Sequence, residues 1–139
     1  MKYSGKKATH QSKREELRLR NYVSWFEIPA INIQRSVNFY NEIYGIEMEI
    51  TEINNYTMAL FPANRGIGGA IVSGEGSLPS DTGTLVYLNA GADLEPVLSK
   101  IEGAGGRVIL GKTLISKTVG YFALFIDTEG NKLALHSKA

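Results

Sequence analysis

Few side chains in this 139-residue chain can do chemistry at neutral pH, and two of them fall where strands are expected. Glu27 lies in the alternating run Trp25-Phe26-Glu27-Ile28, and His136 lies near the end of Lys132-Leu133-Ala134-Leu135-His136. A carboxylate set in an apolar wall beside Trp25 would be desolvated and its pKa raised, while histidine titrates near neutrality. The pair could therefore abstract and return a proton, for example next to a carbonyl. Glu27 and His136 could also share a divalent ion, with Asn89, Tyr87 and Tyr121 as weak oxygen ligands. One carboxylate, one imidazole and neutral oxygens make a poor Zn²⁺ or Ni²⁺ centre, so no cofactor is expected. The plainer readings are a Glu27 satisfied by Tyr87, Tyr121 or backbone donors, and a His136 hydrogen-bonded at a strand end. The absence of cysteine removes thiolate ligands, disulfides and a cysteine nucleophile. Gly66-Ile67-Gly68-Gly69 precedes a strand, not a helix N-terminus, so it reads as a tight turn and not as a phosphate cradle.

The elements that would position these residues follow from periodicity. Gly120 to His136 reads as a β-hairpin whose turn is Asp127-Thr128-Glu129-Gly130-Asn131. Pairing Asp127 with Lys132 would put Phe122, Leu124, Ile126, Leu133 and Leu135 on a core face. It would put Tyr121, Ala123, Phe125, Ala134 and His136 on a cavity face. Earlier in the chain, Trp25 to Ile28 is a strand, and Ile33 to Tyr44 a helix with Asn32 as N-cap and Gly45 as C′ residue. Strands follow at 46–53, 56–61 and 70–73. After a Gly, Ser, Pro and Asp-rich connector the order returns: strand 85–88, helix 94–101 with Asp93 as N-cap, strand 108–113 and the hairpin.

Residue matches make the repeat concrete. Ala59-Leu60-Phe61 matches Ala123-Leu124-Phe125 at an offset of 64, which also carries Ala70 onto Ala134 and Val72 onto His136. The fold class is therefore α+β, with two tandem βαβββ modules forming cupped mixed sheets around a shared cavity. Module one spans 22–74, the connector 75–84 and module two 85–138, within one domain of 22–139. Strand alternation lines the cavity with Trp25, Glu27, Thr57, Ala59, Phe61, Ala70 and Val72. The second module adds Leu85, Tyr87, Asn89, Tyr121, Ala123, Phe125, Ala134 and His136. The ligand-binding residues expected among them are Trp25, Thr57, Phe61, Tyr87, Asn89, Tyr121 and Phe125, a surface suited to a planar or aromatic small molecule.

Charge is unevenly distributed. Fifteen Lys and Arg face fourteen Asp and Glu; seven of the basic residues but only two of the acids lie in residues 1–20, leaving eight against twelve, a net −4, for 21–139. Residues 1–21 form a basic polar tail, expected to be flexible. It lacks the aromatic interleaving or recognition-helix pattern of a nucleic-acid arm, so neither nucleic acid nor membrane is an expected partner, and His10 takes no role. No secretory h-region or long apolar run is present, and the expected location is cytoplasmic.

Trp25-Phe26-Glu27-Ile28-Pro29, Phe39-Tyr40 and Gly45 in the first module resemble the vicinal oxygen chelate superfamily. So do Tyr121-Phe122-Ala123 through Asp127, Gly130-Asn131 and Leu135-His136-Ser137 in the second. That superfamily contains glyoxalase I, bleomycin-resistance proteins and extradiol dioxygenases, and the resemblance covers residues 22 to 138. It implies paired βαβββ modules and a homodimer. It also implies metal ligands from the first and last strands of each module, positions that fall here on Trp25, Ala70, Leu85 and Ala134. None of these can bind a metal, so if a metal is held at all, Glu27 and His136 must hold it. Two functions stay open: a metal-independent binding protein with an aromatic pocket, and a glyoxalase-like lyase or isomerase, or a dioxygenase-type member, using Glu27 and His136.

Overall fold

Asn32 and Gly45 bound the first helix as their chemistry dictates. The Asn32 side chain accepts from the Arg35 N–H, and Gly45 adopts φ 65°, ψ 42°, the left-handed conformation that costs a residue with a Cβ most. The computed structural model describes residues 16–139, so most of the basic tail, including His10, lies outside the described residues. Within it the chain runs β1 Trp25–Pro29, α1 Ile33–Tyr44, β2 Ile50–Ile53, β3 Tyr56–Leu60 and β4 Gly68–Ser73. It continues as β5 Tyr87–Asn89, α2 Glu95–Leu98, β6 Arg107–Ser116, β7 Gly120–Ile126 and β8 Lys132–Ser137.

The two halves build the same sheet. Strand orders are β1-β4-β3-β2 and β5-β8-β7-β6, with β1 parallel to β4, β5 parallel to β8 and the other pairs antiparallel. The tandem βαβββ modules are therefore present. β2 and α2 are markedly shorter than periodicity predicts. β2 starts at Ile50 because residues leaving α1 are tied back to it: the Ile46 N–H donates to the Asn41 carbonyl and the Met48 N–H to Asn41 Oδ1. α2 is regular only over Glu95–Leu98 and continues as tight turns to Gly105, where three glycines in four positions (103, 105, 106) end it. Its inward residues Leu94, Leu98 and Ile101 are buried as expected, and Asp93 accepts from the Glu95 N–H.

One face of each sheet packs with the helices into a single core. Ile28, Ala59 and Ile71 of the first sheet meet Leu88, Ala123, Phe125, Leu133 and Leu135 of the second around Val37, Phe39, Tyr40 and Ile43 of α1. Phe39 carries the joint, its ring centroid 6.1 Å from Phe125 and edge-on to Tyr40 at 4.9 Å. Among the described residues, no helix is long and apolar enough to cross a membrane.

The hairpin register differs by one residue from the expected pairing. Ile126, not Asp127, pairs with Lys132, because Asp127 to Asn131 form a five-residue loop closed by the Asp127 N–H donating to the Asn131 carbonyl. A one-residue slip moves every side chain of a strand to the other face. Ala123 and Phe125 therefore join Leu133 and Leu135 in the core, each at most 3% exposed, and Phe122, Leu124 and Ile126 turn with Ala134 and His136 to the open face.

Candidate functional site

The face turned away from the helices is where a ligand could meet this chain. In the first sheet, register places Trp25 and Glu27 of β1 beside Gly68 and Ala70 of β4, with Leu60 of β3 next in line. In the second it places Tyr87 and Asn89 of β5 beside Ala134 and His136 of β8, then Phe122 and Leu124 of β7. Trp25, Leu60 and Tyr87 are 46%, 49% and 49% exposed, whereas Ile28, Ala59, Ile71, Leu88, Ala123, Phe125, Leu133 and Leu135 on the opposite face are buried. Glycine makes the aromatic seats possible: a Cβ on Gly68 would press against the Trp25 ring on the open face, and one on Gly69 would penetrate the Phe26 ring on the core face. The expected glycine turn thus ends two residues early, and Gly68 and Gly69 belong to β4 as rests for two rings.

Of the predicted ligand-binding residues, the structure keeps Trp25, Tyr87 and Asn89 on this face and removes four. Phe125 is fully buried against Phe39; Phe61 packs on Phe26 at 5.5 Å and on Tyr40 at 5.6 Å. Thr57 shares the parity of Ala59 and Phe61 on the helix side. Tyr121 shares that of Ala123 and packs against the core, with the Lys112 ammonium 4.7 Å from its ring centroid. Ala59 and Ala123, also expected in the cavity wall, are core residues. The sequence reading missed Phe122 and Leu124, and counting the loop as five residues would have found them. Phe122 stacks at a tilt on Tyr87, centroids 6.2 Å apart.

No hydrogen bond or ion pair joins Glu27 to His136 among the described residues. Glu27 is exposed and accepts from the Trp25 indole N–H at 3.3 Å, so it does not sit in the apolar wall expected from the sequence. It borders a cleft with Lys132 and Leu133 at the start of β8, and His136 lies three to four residues further along, roughly 10–13 Å at the usual strand rise. His136 Nε2 is 2.6 Å from the Val119 carbonyl oxygen. A carbonyl only accepts, so Nε2 carries the proton and only Nδ1 is free to act as a base. The Asn89 side chain is likewise engaged, accepting from the Gly91 N–H at 2.9 Å.

The most elaborate polar constellation lies on the helix side, in the Asp127-Thr128-Glu129-Gly130-Asn131 loop. Asp127 Oδ1 accepts from the Glu129 and Asn131 N–H groups; Oδ2 accepts from the Tyr40 hydroxyl at 2.8 Å and from Asn131 Nδ2. The buried Glu129 carboxylate accepts from the Ile31 and Asn32 N–H groups, from Arg35 Nε and Nη2 and from the Thr128 hydroxyl. Burial pushes the Glu129 carboxyl up, but the hydrogen bonds from Arg35, the Asn32 N–H and Thr128 outweigh it and hold it below the usual carboxylate range. Burial, then the charge and hydrogen bond of Asp127, drive the Tyr40 phenol well above its ordinary value, so it stays a donor. This loop fastens module two to the start of α1 in module one; its role is structural.

Over 122 residues, 84% of this chain and 94% of the relative, the sequence is 28% identical to a glyoxylase-like domain-containing protein from Didymella fabae. No protein-family model matches the chain. Among solved structures it is similar to a glyoxalase/bleomycin resistance protein from Albidiferax ferrireducens T118, with TM-score 0.66 and 14% identity over 86% of this chain and all of that one. The chain has the vicinal oxygen chelate fold. A second similar structure with that fold, glyoxalase I from Zea mays (TM-score 0.62, 18% identity), is matched over 84% of this chain but only 44% of its own, so this chain spans less than half of the maize enzyme. The fold's metal does not fit here: the ligand positions implied by the vicinal oxygen chelate resemblance hold an indole, two methyls and an isobutyl group. Among the described residues no three His, Cys, Asp or Glu cluster as ligands.

Proposed function

We propose that this chain is a small-molecule-binding protein of the glyoxalase/bleomycin-resistance type, taking a planar or aromatic ligand on the open face without a metal, and working as a homodimer. One observation carries the reading. The centre of the helix-side face is a closed core, whereas Trp25, Tyr87 and Leu60 remain about half exposed on the other face, where Phe122 adds a further ring. Stacking area with few polar groups is the usual make-up of a site for a flat apolar molecule. The homodimer reading is supported by Ile109, Leu114 and Ile115 of β6, 46%, 53% and 43% exposed, which a second copy would cover. The lyase or isomerase alternative needs Glu27 and His136 on one substrate, and their separation and the engaged Nε2 favour binding over turnover.

Trp25 is the single tryptophan, so its emission reports on this face directly. Titration with a panel of planar aromatic compounds should give saturable quenching, unchanged by chelator, weakened at least fivefold by Tyr87→Ala or Phe122→Ala, and accompanied by sedimentation as a dimer. Quenching that never saturates across the panel would overturn the binding reading. Turnover abolished by Glu27→Gln or His136→Asn would replace it with the enzymatic one.

A further inference from the structure

At the inner edge of the first sheet, the open face runs into a cleft of about 170 Å³. It is lined by Glu27 and Pro29 of β1, Ser80 and Thr84 of the connector, Val86, and Lys132 at the start of β8. That is room for several waters, and so for a head group of a few heavy atoms. Register shows which charged side chains face the open side. Glu27 lies opposite Ala70, and Lys132 is in line with Ala134 and His136, so both share the open-face parity of their strands.

The two residues carry opposite charges on opposite walls, yet neither forms an ion pair with any described residue. The only hydrogen bond to the Glu27 carboxylate among the described residues is the long one from Trp25. Two strands of different sheets hold the groups apart. Asn131 ties these strands together, its Nδ2 donating to the Pro29 carbonyl at 2.7 Å while its Oδ1 accepts from the Ser80 N–H at 3.1 Å. A carboxylate and an ammonium held apart in this way complement a molecule whose own ammonium and carboxylate are close together.

We infer that this cleft takes the zwitterionic head of a free aromatic α-amino acid, its ammonium on Glu27 and its carboxylate on Lys132, with the ring lying toward Trp25. The inference rests on the open face being the ligand surface, because Trp25 is two residues from Glu27 on the same face and its indole N–H already touches that carboxylate.

The test is calorimetry and Trp25 fluorescence on the full chain with five probes: L-phenylalanine, phenethylamine, 3-phenylpropionate, neutral N-acetylphenylalanine amide and glycine. Phenylalanine is expected to bind at least tenfold more tightly than either singly charged analogue or the neutral one. Glu27→Gln should abolish its advantage over 3-phenylpropionate, Lys132→Met its advantage over phenethylamine, and the double swap Glu27→Lys with Lys132→Glu should recover part of the affinity. Equal binding of the neutral amide and phenylalanine, or unchanged phenylalanine binding in both single variants, overturns the inference while leaving the aromatic surface intact. Glycine binding that needs both charges, with no aromatic preference, upholds the cleft and overturns the aromatic surface. No binding by any probe overturns both.

Discussion

Replacing Glu129 with alanine tests whether the hairpin loop is the fastening between the modules. The carboxylate accepts from the Ile31 N–H at 2.9 Å and the Asn32 N–H at 2.7 Å, the two donors that lead into α1, and from Arg35 Nε at 2.7 Å. Hydrogen bonds to a charged acceptor contribute about 1.5–3 kcal/mol each. Ile31 and Asn32 are exposed, so water can re-solvate their N–H groups in the variant and the lower figure applies to both. The Arg35 head is half exposed and keeps most of its hydration. The expected loss is about 3 kcal/mol, which for a domain of this size lowers Tm by roughly 10 °C. Glu129→Gln, which keeps one acceptor but turns an amide toward the guanidinium, should fall between. The pH dependence has a definite sign. The folded Glu129 pKa lies below the ordinary glutamate value, so its contribution is fully present above that value and is lost as pH falls through the folded one. The gap between wild type and Glu129→Gln should therefore narrow below about pH 4. Thermal melts by circular dichroism at pH 7 and pH 3.5 measure both effects. A Tm drop for Glu129→Ala under about 3 °C at pH 7, or a gap to Glu129→Gln that does not change with pH, would refute the reasoning.

Other substitutions separate the packed face from the open one. Tyr40→Phe removes a buried donor to Asp127 and should cost about 1–2 kcal/mol in urea unfolding, with secondary structure unchanged. Ser36 is fully buried, and its hydroxyl has no hydrogen-bond partner among the described residues, so Ser36→Ala should be neutral or stabilise by up to about 1 kcal/mol in the same assay. Gly69→Ala drives a methyl into the Phe26 ring and should destabilise by about 1–3 kcal/mol. Gly68→Ala meets only the edge of the exposed Trp25 ring, so it should shift Trp25 emission with little change in Tm.

What could be read from the sequence followed local chemistry, and what could not be read depended on counting across a loop. Asn32 and Gly45 fix α1 through their own side-chain and backbone preferences, so both ends of that helix were legible. The duplication was legible because the same residues recur at the same faces: Ala59 and Ala123 are both fully buried, as are Ala70 and Ala134. Which face they belong to was not. Asp127 was expected to pair with Lys132, but its N–H closes the loop onto the Asn131 carbonyl and its carboxylate is spent on Tyr40 and Asn131. The β7 residues Tyr121 and Phe125 were therefore assigned to the cavity face while the β8 residues were assigned correctly, and Phe61 followed Phe125 through the repeat. Trp25, Tyr87 and Asn89, on strands whose register does not pass through that loop, lie on the expected face, and so does His136, whose β8 alternation was read correctly. The demand of Glu129 for the start of α1 was invisible because nearly a hundred residues separate donor from acceptor.

The same offset shows where the two modules have diverged. Carried back by 64, Asp127, Glu129, Gly130 and Asn131 fall on Ala63, Arg65, Gly66 and Ile67. The glycine recurs in the same left-handed conformation, φ 86° in one loop and 96° in the other, because both hairpins need that bend. The three side chains that bond across the modules occur only in the second loop, where α1 supplies the donors; the start of α2 is met instead by Asp93 and by Ser137, which accepts from the Leu94 N–H. One loop of the pair is therefore a joint and the other only a turn. The Asp127 and Glu129 carboxylates of the joint stand on the helix side, while Asn131 lines the cleft beside Glu27. Trp25, Tyr87 and Phe122 take no part in those bonds, so their side chains are free to answer to whatever binds there. Tyr87→Ala should then leave Tm nearly unchanged while weakening ligand quenching of Trp25, the opposite of what Tyr40→Phe should do.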